Sequence, residues 1–247
     1  MLHNPVEISM QTYETLLEQQ NLGDIHPTLV RGAKWYLPEE RKQLAADAQA
    51  ELERLGLRRG GRIDAEFLDT LQLLQRPAVE YYTWVKSKGQ HRTIRTVRSE
   101  REAVIVVAVN EKLYLAPTRP ETIAFDLAIR LPETKPAHTH SLNCAESDLQ
   151  LLMDGGTLTG ASPSIRDAKK VLGWLKMSYT HYGQLYAAIR DGHNNRKRTP
   201  KPPGWMDTEQ GRVVFGVDAS SWISLAGAGP QDIAGRLTQL EGQLRGR

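Results

Sequence analysis

YGQLYAAIRDGHNNRKRTPKPPGWMDTEQGRVVFGVD, residues 182–218, contains two strand-forming runs joined by a basic, proline-rich connection. The first run, Tyr182–Arg190, mixes apolar and small side chains with a few polar ones, a composition typical of a half-buried strand. The connection, Asp191–Pro203, has almost no apolar side chain, and its three prolines have no amide hydrogen to give to a β-ladder. The sequence therefore predicts that this connection leaves the sheet.

The second run predicts a β-hairpin. Gly204–Met206 resumes an apolar pattern, and Asp207–Gly211 contains an aspartate that can open a turn and a glycine that can adopt positive φ. The β-rich run Arg212–Val217 follows directly. Residues 182–218 thus indicate a scaffold of strands with a basic arm, rather than a catalytic loop.

The composition is that of a soluble globular protein. Of 247 residues, 40% are hydrophobic, and 32 basic against 29 acidic residues give a net charge of +3, which is too small to indicate nucleic acid or an anionic membrane as partner. The lone cysteine, Cys144, excludes a disulfide within the chain and fits a reducing compartment. The first ten residues lack the basic flank and apolar run of a signal peptide, so we expect a cytoplasmic location.

Hydrophobic periodicity predicts a mixed α+β chain in which short links make neighbouring strands antiparallel. In the first half, Pro38 and two following glutamates favour a helix start, and Asp64 can cap the next helix before Pro77 ends it. The elements predicted for this half are a strand at 6–10, helices at 12–20, 38–55 and 64–76, strands at 79–86, 93–97, 103–109 and 113–116, and a helix at 120–131.

The second half repeats this order after a proline-rich linker at 132–138. Ser164 is predicted to cap a helix that runs to Tyr179. The other elements predicted for this half are a strand at 141–144, a helix at 147–153, the strands of residues 182–217, a strand at 221–225 and a helix at 230–245. The chain therefore reads as two similar halves, 1–134 and 135–247, which are related by the order of their elements and not by a repeated sequence.

Several blocks of the sequence resemble the EspG family of type VII secretion-associated proteins. They are EERKQLAADAQAELERLGL, GGRIDAEFLDTLQLLQRPAVEYYTWV, AVIVVAVNEKLYLAPTRPETIAFDLAIRLP, and YGQLYAAIRD with PGWMDTEQGRVVF. The order of the blocks also matches, and together they cover nearly the whole chain. The resemblance implies one α+β domain, 1–247, with a central, mostly antiparallel sheet in two quasi-symmetric halves flanked by helical bundles.

The resemblance further implies a function. Members of the family are cytoplasmic chaperones that bind the helical tip of PE–PPE heterodimers, keep them soluble and direct them to the secretion machinery. The implied partner here is a helical PE–PPE-type substrate, with no nucleic acid or membrane, and the chain itself is expected to be a monomer or weak homodimer. The turn Lys86–His91 is short, whereas the corresponding loop of mycobacterial members can be long and help to hold the partner.

An apolar patch with a polar rim is what such a chaperone needs to cover an exposed helical tip. Large aromatic and leucine side chains are common anchors in such patches, although core packing is their more frequent role. The candidate partner-binding residues are Lys86 and Lys88 in the short turn, together with Leu172, Trp174, Leu175, Trp205, Trp222, Leu240 and Leu244.

No group of residues predicts catalysis, a cofactor or a metal site. His138, His140 and Cys144 lack the further ligands that a zinc site requires, and the glycines at 155–160 are not followed by the Lys-Ser/Thr of a phosphate loop. Two other functions stay open. One is a nucleic-acid-binding module that uses the basic loop 190–201, and the other is an enzyme whose residues are scattered over the sheet.

Overall fold

The computed structural model describes residues 1–30 and 35–246. Within these residues the strands are β1 Val6–Ser9, β2 Arg58–Arg59, β3 Arg62–Ile63, β4 Val79–Ser87, β5 Gln90–Arg98, β6 Ala103–Val109, β7 Lys112–Thr118, β8 Leu142–Ala145, β9 Tyr179–Arg190, β10 Arg196–Arg198, β11 Gly204–Thr208, β12 Gly211–Val217 and β13 Trp222–Gly227. The helices are α1 Met10–Gln19, α2 Pro38–Arg54, α3 Ala65–Gln75, α4 Ile123–Ala128, α5 Glu146–Met153, α6 Pro163–Leu175 and α7 Pro230–Leu244.

One large antiparallel sheet forms the centre of the molecule. Its strand order is β1-β7-β6-β5-β4-β9-β11-β12-β13-β8, and β10 pairs with β9 beside β11. The order is the same when it is counted inward from either edge. The first strand, β1 or β8, lies outermost, and the other strands follow in reverse order of sequence. β4 and β9 form the central pair. The predicted α+β class and the largely antiparallel sheet are confirmed.

Each face of the sheet has its own helices, because side chains alternate between faces along a strand. On one face, Val79, Tyr81 and Leu185 pack with α4 and α7, for example with Ile233 and Leu237. We call this the α4/α7 face.

The opposite face, which we call the bundle face, carries two separate helical clusters. Helices α1, α2 and α3 cover β5, β6 and β7 through residues such as Phe67 and Val104. Helices α5 and α6 cover β8, β12 and β13 through residues such as Val171 and Ile223. The central strands β4 and β9 lie between the two clusters, so their side chains on this face are the ones that neither cluster covers completely.

The boundaries predicted for α6 are wrong at both ends. The N-cap is Ser162, whose Oγ accepts from the Ile165 amide at 3.2 Å, whereas Ser164 lies inside the helix and its Oγ accepts from the Ala145 amide. The helix ends at Leu175, and Tyr179 already pairs with Thr208 of β11. Pairing with a neighbouring strand, which is invisible in local periodicity, therefore overrides the helical pattern here. In the first half, the helix predicted at 120–131 is also shorter, Ile123–Ala128.

The basic connection does not leave the sheet as predicted. Asp191 accepts hydrogen bonds from the amides of His193 and Asn195 and closes a turn, after which Arg196–Arg198 pairs with β9 as β10. The prolines that follow remove donors but keep their carbonyls, and Pro203 accepts from the Leu185 amide at 2.9 Å. The prediction fails because a proline-rich segment can still follow a strand by accepting hydrogen bonds from it.

The predicted linker is a packed part of the second half. Ala137 donates its amide to the Arg212 carbonyl at 3.0 Å, and the Arg212 amide donates to the Lys135 carbonyl at 2.8 Å. The Arg212 guanidinium reaches Pro132 O at 2.6 Å and forms a buried ion pair with Asp207. These contacts hold the connection between the halves against β12. No helix within residues 1–30 and 35–246 is long and apolar enough to cross a membrane.

Candidate functional site

A groove of about 910 Å³ lies on the bundle face at one end of β4 and β9. Leu175 at the C-terminal end of α6 and residues of β11 and β12 line it together with the two central strands. Its side chains are mainly apolar or aromatic: Trp84, Leu175, Tyr179, Tyr182, Pro202, Met206, Phe215 and Val217. A large, partly open, apolar concavity with few polar groups is the usual form of a binding site for a ligand or a partner.

The floor of the groove continues into a packed aromatic cluster. The rings of Tyr82 and Tyr186, which face each other across the β4–β9 pair, stack with centroids 4.9 Å apart. Trp84 meets both edge-on, at 5.6 and 5.3 Å. Such pairs add to the free energy gained by burial alone, so the floor is a well-packed surface.

The wall near α6 consists of two exposed tyrosines. Tyr179 and Tyr182 are 49% and 38% exposed and meet edge-to-face at 4.9 Å. These exposed fractions are large for aromatic side chains next to an apolar groove, and such rings are favoured anchors in protein interfaces. The wall is thus available to a partner.

Gly183 explains how the strands come close enough to form the groove. A Cβ at this position would lie 2.1 Å from the Trp84 carbonyl oxygen and 2.8 Å from Trp205 Nε1. Any other residue would push β4 and β9 apart or displace the Trp205 ring. Trp205 itself is fully buried, and its Nε1 donates to Thr83 Oγ1 at 3.1 Å.

The charged residues that line the groove are both lysines. Lys86 follows the aromatic run of β4, and its Nζ lies 5.7 Å from the centroid of the Tyr182 ring, a cation–π distance. Lys201 lies between two prolines in the connection from β10 to β11. The groove therefore combines an apolar surface with positive charge.

At the other end of the central strands lies a buried ionic cluster. Glu80 is paired with Arg95 at 2.7 Å and with Arg196 at 2.6 Å, and both Glu80 and Arg95 are buried. Burial by itself would raise the pKa of Glu80, but the charge of Arg95 and the hydrogen bond from His26 outweigh burial and hold that pKa well below its usual range. The cluster joins β4 and β5 to β10, so it stabilises the central strand pair on which the groove is built.

His26 completes the ionic cluster from the segment between α1 and α2. Its Nδ1 accepts from the Thr28 amide at 3.3 Å, which places the ring proton on Nε2, 3.3 Å from Glu80 Oε2. Burial and the nearby Arg95 charge lower the pKa of His26 to about 4, although Glu80 opposes this shift. The imidazole is therefore neutral near neutral pH and acts as a structural hydrogen-bond donor.

The structure brings together three of the residues predicted from the sequence to bind a partner. Lys86, Leu175 and Trp205 all lie at the groove. Lys88 is exposed in the turn between β4 and β5, two residues after Lys86. The side chain of Trp205 is fully buried in the core of the α4/α7 face, so this residue lies behind the sheet that carries the groove and not on the groove surface.

The other predicted residues lie elsewhere. Leu172 and Trp174 pack into the α5/α6 cluster, and they support the groove wall from behind. Leu240 and Leu244 pack on the α4/α7 face. Trp222 is 45% exposed near the edge of the sheet, on the α4/α7 side of β13, because its neighbour Ile223 faces the α5/α6 cluster.

Sequence reasoning missed four prominent groove residues, Trp84, Tyr179, Tyr182 and Lys201. Part of the signal was present: Tyr82, Trp84 and Lys86 alternate along β4 and must share one face if the segment is a strand. Strand alternation gives no position for Tyr179, because the sequence pattern predicts that this residue ends a helix.

No group of three or more histidines, cysteines or carboxylates that could hold a metal ion occurs in the described parts of the chain. Cys144 is buried in the α5/α6 cluster, where burial, with smaller contributions from Asp148 and Asp167, raises the pKa of its thiol to about 11. A thiol with a raised pKa is a weak nucleophile near neutral pH.

Comparison with known proteins gives a consistent result. The EspG family model matches residues 9–239. Among solved structures, the fold is similar to that of the Mycobacterium tuberculosis type VII secretion system chaperone EspG5, solved in complex with a PE25–PPE41 dimer, at 13% identity over 96% of each chain with a TM-score of 0.70. No curated protein matches the chain. On the extent of the family match, the chain belongs to the EspG family.

Proposed function

We propose that the chain is a cytoplasmic type VII secretion chaperone that binds the helical tip of a PE–PPE-type heterodimer in the groove on the bundle face. Family membership and the shared fold with a chaperone solved on a PE–PPE dimer support the class of partner. The single observation that supports the place of binding is the apolar, partly open groove over β4, β9, β11 and β12, beside the C-terminal end of α6.

The size of the groove fits the end of a helical bundle. A helix is roughly 10 Å across, so about 910 Å³ corresponds to some 12 Å of helix axis, or about two turns. A partner that bound along the side of its helical bundle would need a longer groove. We therefore propose that the partner inserts its tip and leaves its sides free for other contacts.

Covering such a tip explains the chaperone activity. Exposed apolar surface at the end of a bundle promotes association between copies, and an apolar groove with charged groups at its margin can mask that surface reversibly. Because the substrate must be masked before export, we place the activity in the cytoplasm, with one copy of the chain for each heterodimer.

The proposed contact residues are Lys86, Leu175, Tyr179 and Tyr182, with Trp84 beneath them. Lys88 lies at the margin. Leu172, Trp174 and Trp205 would act by fixing the shape of the groove. Leu240, Leu244 and Trp222 lie on the opposite side of the sheet, so a partner in this groove would not contact them.

Co-expression tests the proposal. A tagged copy of the chain, expressed with the PE–PPE-type heterodimers of its own organism, should co-purify with at least one of them as a stable complex. The variant Tyr179→Ala/Tyr182→Ala should retain its fold by circular dichroism and lose most of the bound heterodimer.

The matched control is Phe125→Ala/Ile129→Ala, which changes one residue of α4 and the residue that directly follows it. These two side chains are 37% and 51% exposed, close to the 38% and 49% of Tyr182 and Tyr179, but they lie on the α4/α7 side. The control should bind as the parent chain does. Failure of every heterodimer to co-purify would reject the proposed function.

The nucleic-acid alternative gains little from the structure. Arg196 is engaged by Glu80, and Lys197 Nζ lies 3.7 Å from Asp191. Two of the three consecutive basic side chains are therefore already paired with carboxylates, and the segment serves as a strand of the sheet.

A further inference from the structure

We infer that the groove selects helical partners that carry an acidic side chain on the inserted surface, and that Lys86 and Lys201 recognise this carboxylate. This inference rests on the proposed function and deepens it, since it specifies the chemistry of the partner surface.

The first step is the imbalance of charge. Among the described residues, the charged side chains that line the groove are Lys86 and Lys201, and none of the lining residues is a carboxylate. Neither lysine is paired with a carboxylate in the described parts of the chain, in contrast to Lys112 and Lys197, which pair with Glu7 and Asp191. The groove thus presents positive charge that the protein itself does not compensate.

The second step is that the backbone of both lysines is constrained and that the ammonium of Lys86 also has a contact. Lys86 is part of β4, opposite Tyr182 of β9, and its ammonium lies over the Tyr182 ring. Lys201 is flanked by Pro200 and Pro202, and a following proline restricts the backbone of the preceding residue to extended conformations. Charges that are held in place lose less conformational entropy when a partner binds.

The third step is the pattern that a helix must present. About two turns fit the groove, and residues three and four apart lie on one face of a helix. Apolar side chains at such positions would pack on Trp84, Tyr182 and Leu175, and a glutamate or aspartate one turn away on the same face would reach the lysines. Because the surrounding surface is apolar, such a pair is screened less by water than a pair on an open surface.

Charge reversal tests the inference. The dissociation constant of the complex with a co-purifying PE–PPE-type heterodimer is measured for the parent chain and for Lys86→Glu/Lys201→Glu. The matched control is Lys42→Glu/Lys135→Glu, which changes the net charge equally at exposed positions outside the groove. We expect about tenfold or greater weakening for the groove variant, as for a like-charge pair in an interface, and little change for the control.

A second variant separates charge from shape. Lys86→Gln/Lys201→Gln should weaken binding at low salt and should reduce the dependence of the dissociation constant on salt concentration. If a heterodimer binds the parent chain and both groove variants equally well, this inference alone would be overturned. Absence of any complex with the parent chain would overturn the proposed function and the inference with it.

Discussion

His26 shows how one side chain can link a surface segment to the centre of the sheet. Its neutral ring donates to Glu80, which in turn forms ion pairs with both Arg95 and Arg196. The Tyr82 ring, which begins the aromatic floor, lies 5.0 Å from the imidazole centroid. The ionic cluster and the groove floor therefore meet at this residue, and the protonation of His26 affects the stability of both.

The lowered pKa of His26 predicts a pH dependence of stability. In the unfolded chain the imidazole has its ordinary pKa of about 6.5, whereas in the folded protein the pKa is lowered to about 4. Between these values the unfolded state binds more protons, so the free energy of unfolding falls as the pH is lowered through this window. We expect a loss on the order of 2–3 kcal/mol from this group.

Urea unfolding at several pH values between pH 4 and 7 would measure this dependence. His26→Gln can still place a donor near Glu80 but does not titrate, so its stability should change less with pH than that of the parent chain. His3→Gln, at an exposed position, serves as the control and should keep the parent slope. Equal slopes for the parent chain and His26→Gln would contradict the assignment.

At the scale of elements, α6 combines tight packing on one side with an unoccupied surface on the other. Ala168, Val171 and Trp174 are buried against the sheet. Gly173 lies between them in sequence but is exposed, and a Cβ there would meet nothing within 4 Å. A glycine in the interior of a helix costs about 0.5–1 kcal/mol relative to alanine.

Gly173→Ala should therefore raise the free energy of unfolding by about 0.5–1 kcal/mol. Gly235→Ala in α7 is the matched comparison, since this glycine is also exposed with open space around it, and it should have an effect of similar size. Chemical denaturation of both variants provides the measurement. A loss of stability in Gly173→Ala alone would show that its surroundings are more crowded than the structure indicates.

The elements that sequence reasoning located are those with strong local signals. The hairpin of β11 and β12 was predicted from the turn residues Asp207–Gly211, and the alternating pattern of β4 placed its strand within one residue. The elements that it misplaced depend on distant partners. β10 exists because Asp191 turns the chain back along β9, and α6 stops because Tyr179 joins β11.

The candidate site was predictable in the same partial way. Lys86, Leu175 and Trp205 were identified individually, but nothing local indicates that the ends of β4, β9 and α6 converge. Leucines that pack on the α4/α7 face, such as Leu240, have the same helical spacing as leucines that border a groove. Separating the two requires the pairing of β4 with β9, which joins residues about 100 positions apart and is set by the tertiary fold.

At the scale of the whole molecule, the order of the strands explains where the groove lies. Each half covers its own outer strands with its own helices, and the halves meet at β4 and β9. On the bundle face, the end of the central strands that carries Trp84, Lys86 and Tyr182 remains accessible beside α6, whereas Glu80 and Tyr82 further along β4 are buried. The contacts of Arg212 with the segment 132–137 tie the connection between the halves to the sheet, which supports our proposal that the chain acts as a single domain.

The central claim is that a PE–PPE-type tip occupies the groove on the bundle face. Site-specific photo-crosslinking tests it most directly, with a benzoylphenylalanine placed at either Tyr182 in the groove or Phe125 on α4. The two positions are matched, since both are aromatic and their exposed fractions are 38% and 37%. In the presence of a PE–PPE-type heterodimer, position 182 should form a crosslink to it and position 125 should not. A crosslink from position 125 alone, or none from either, would contradict the account.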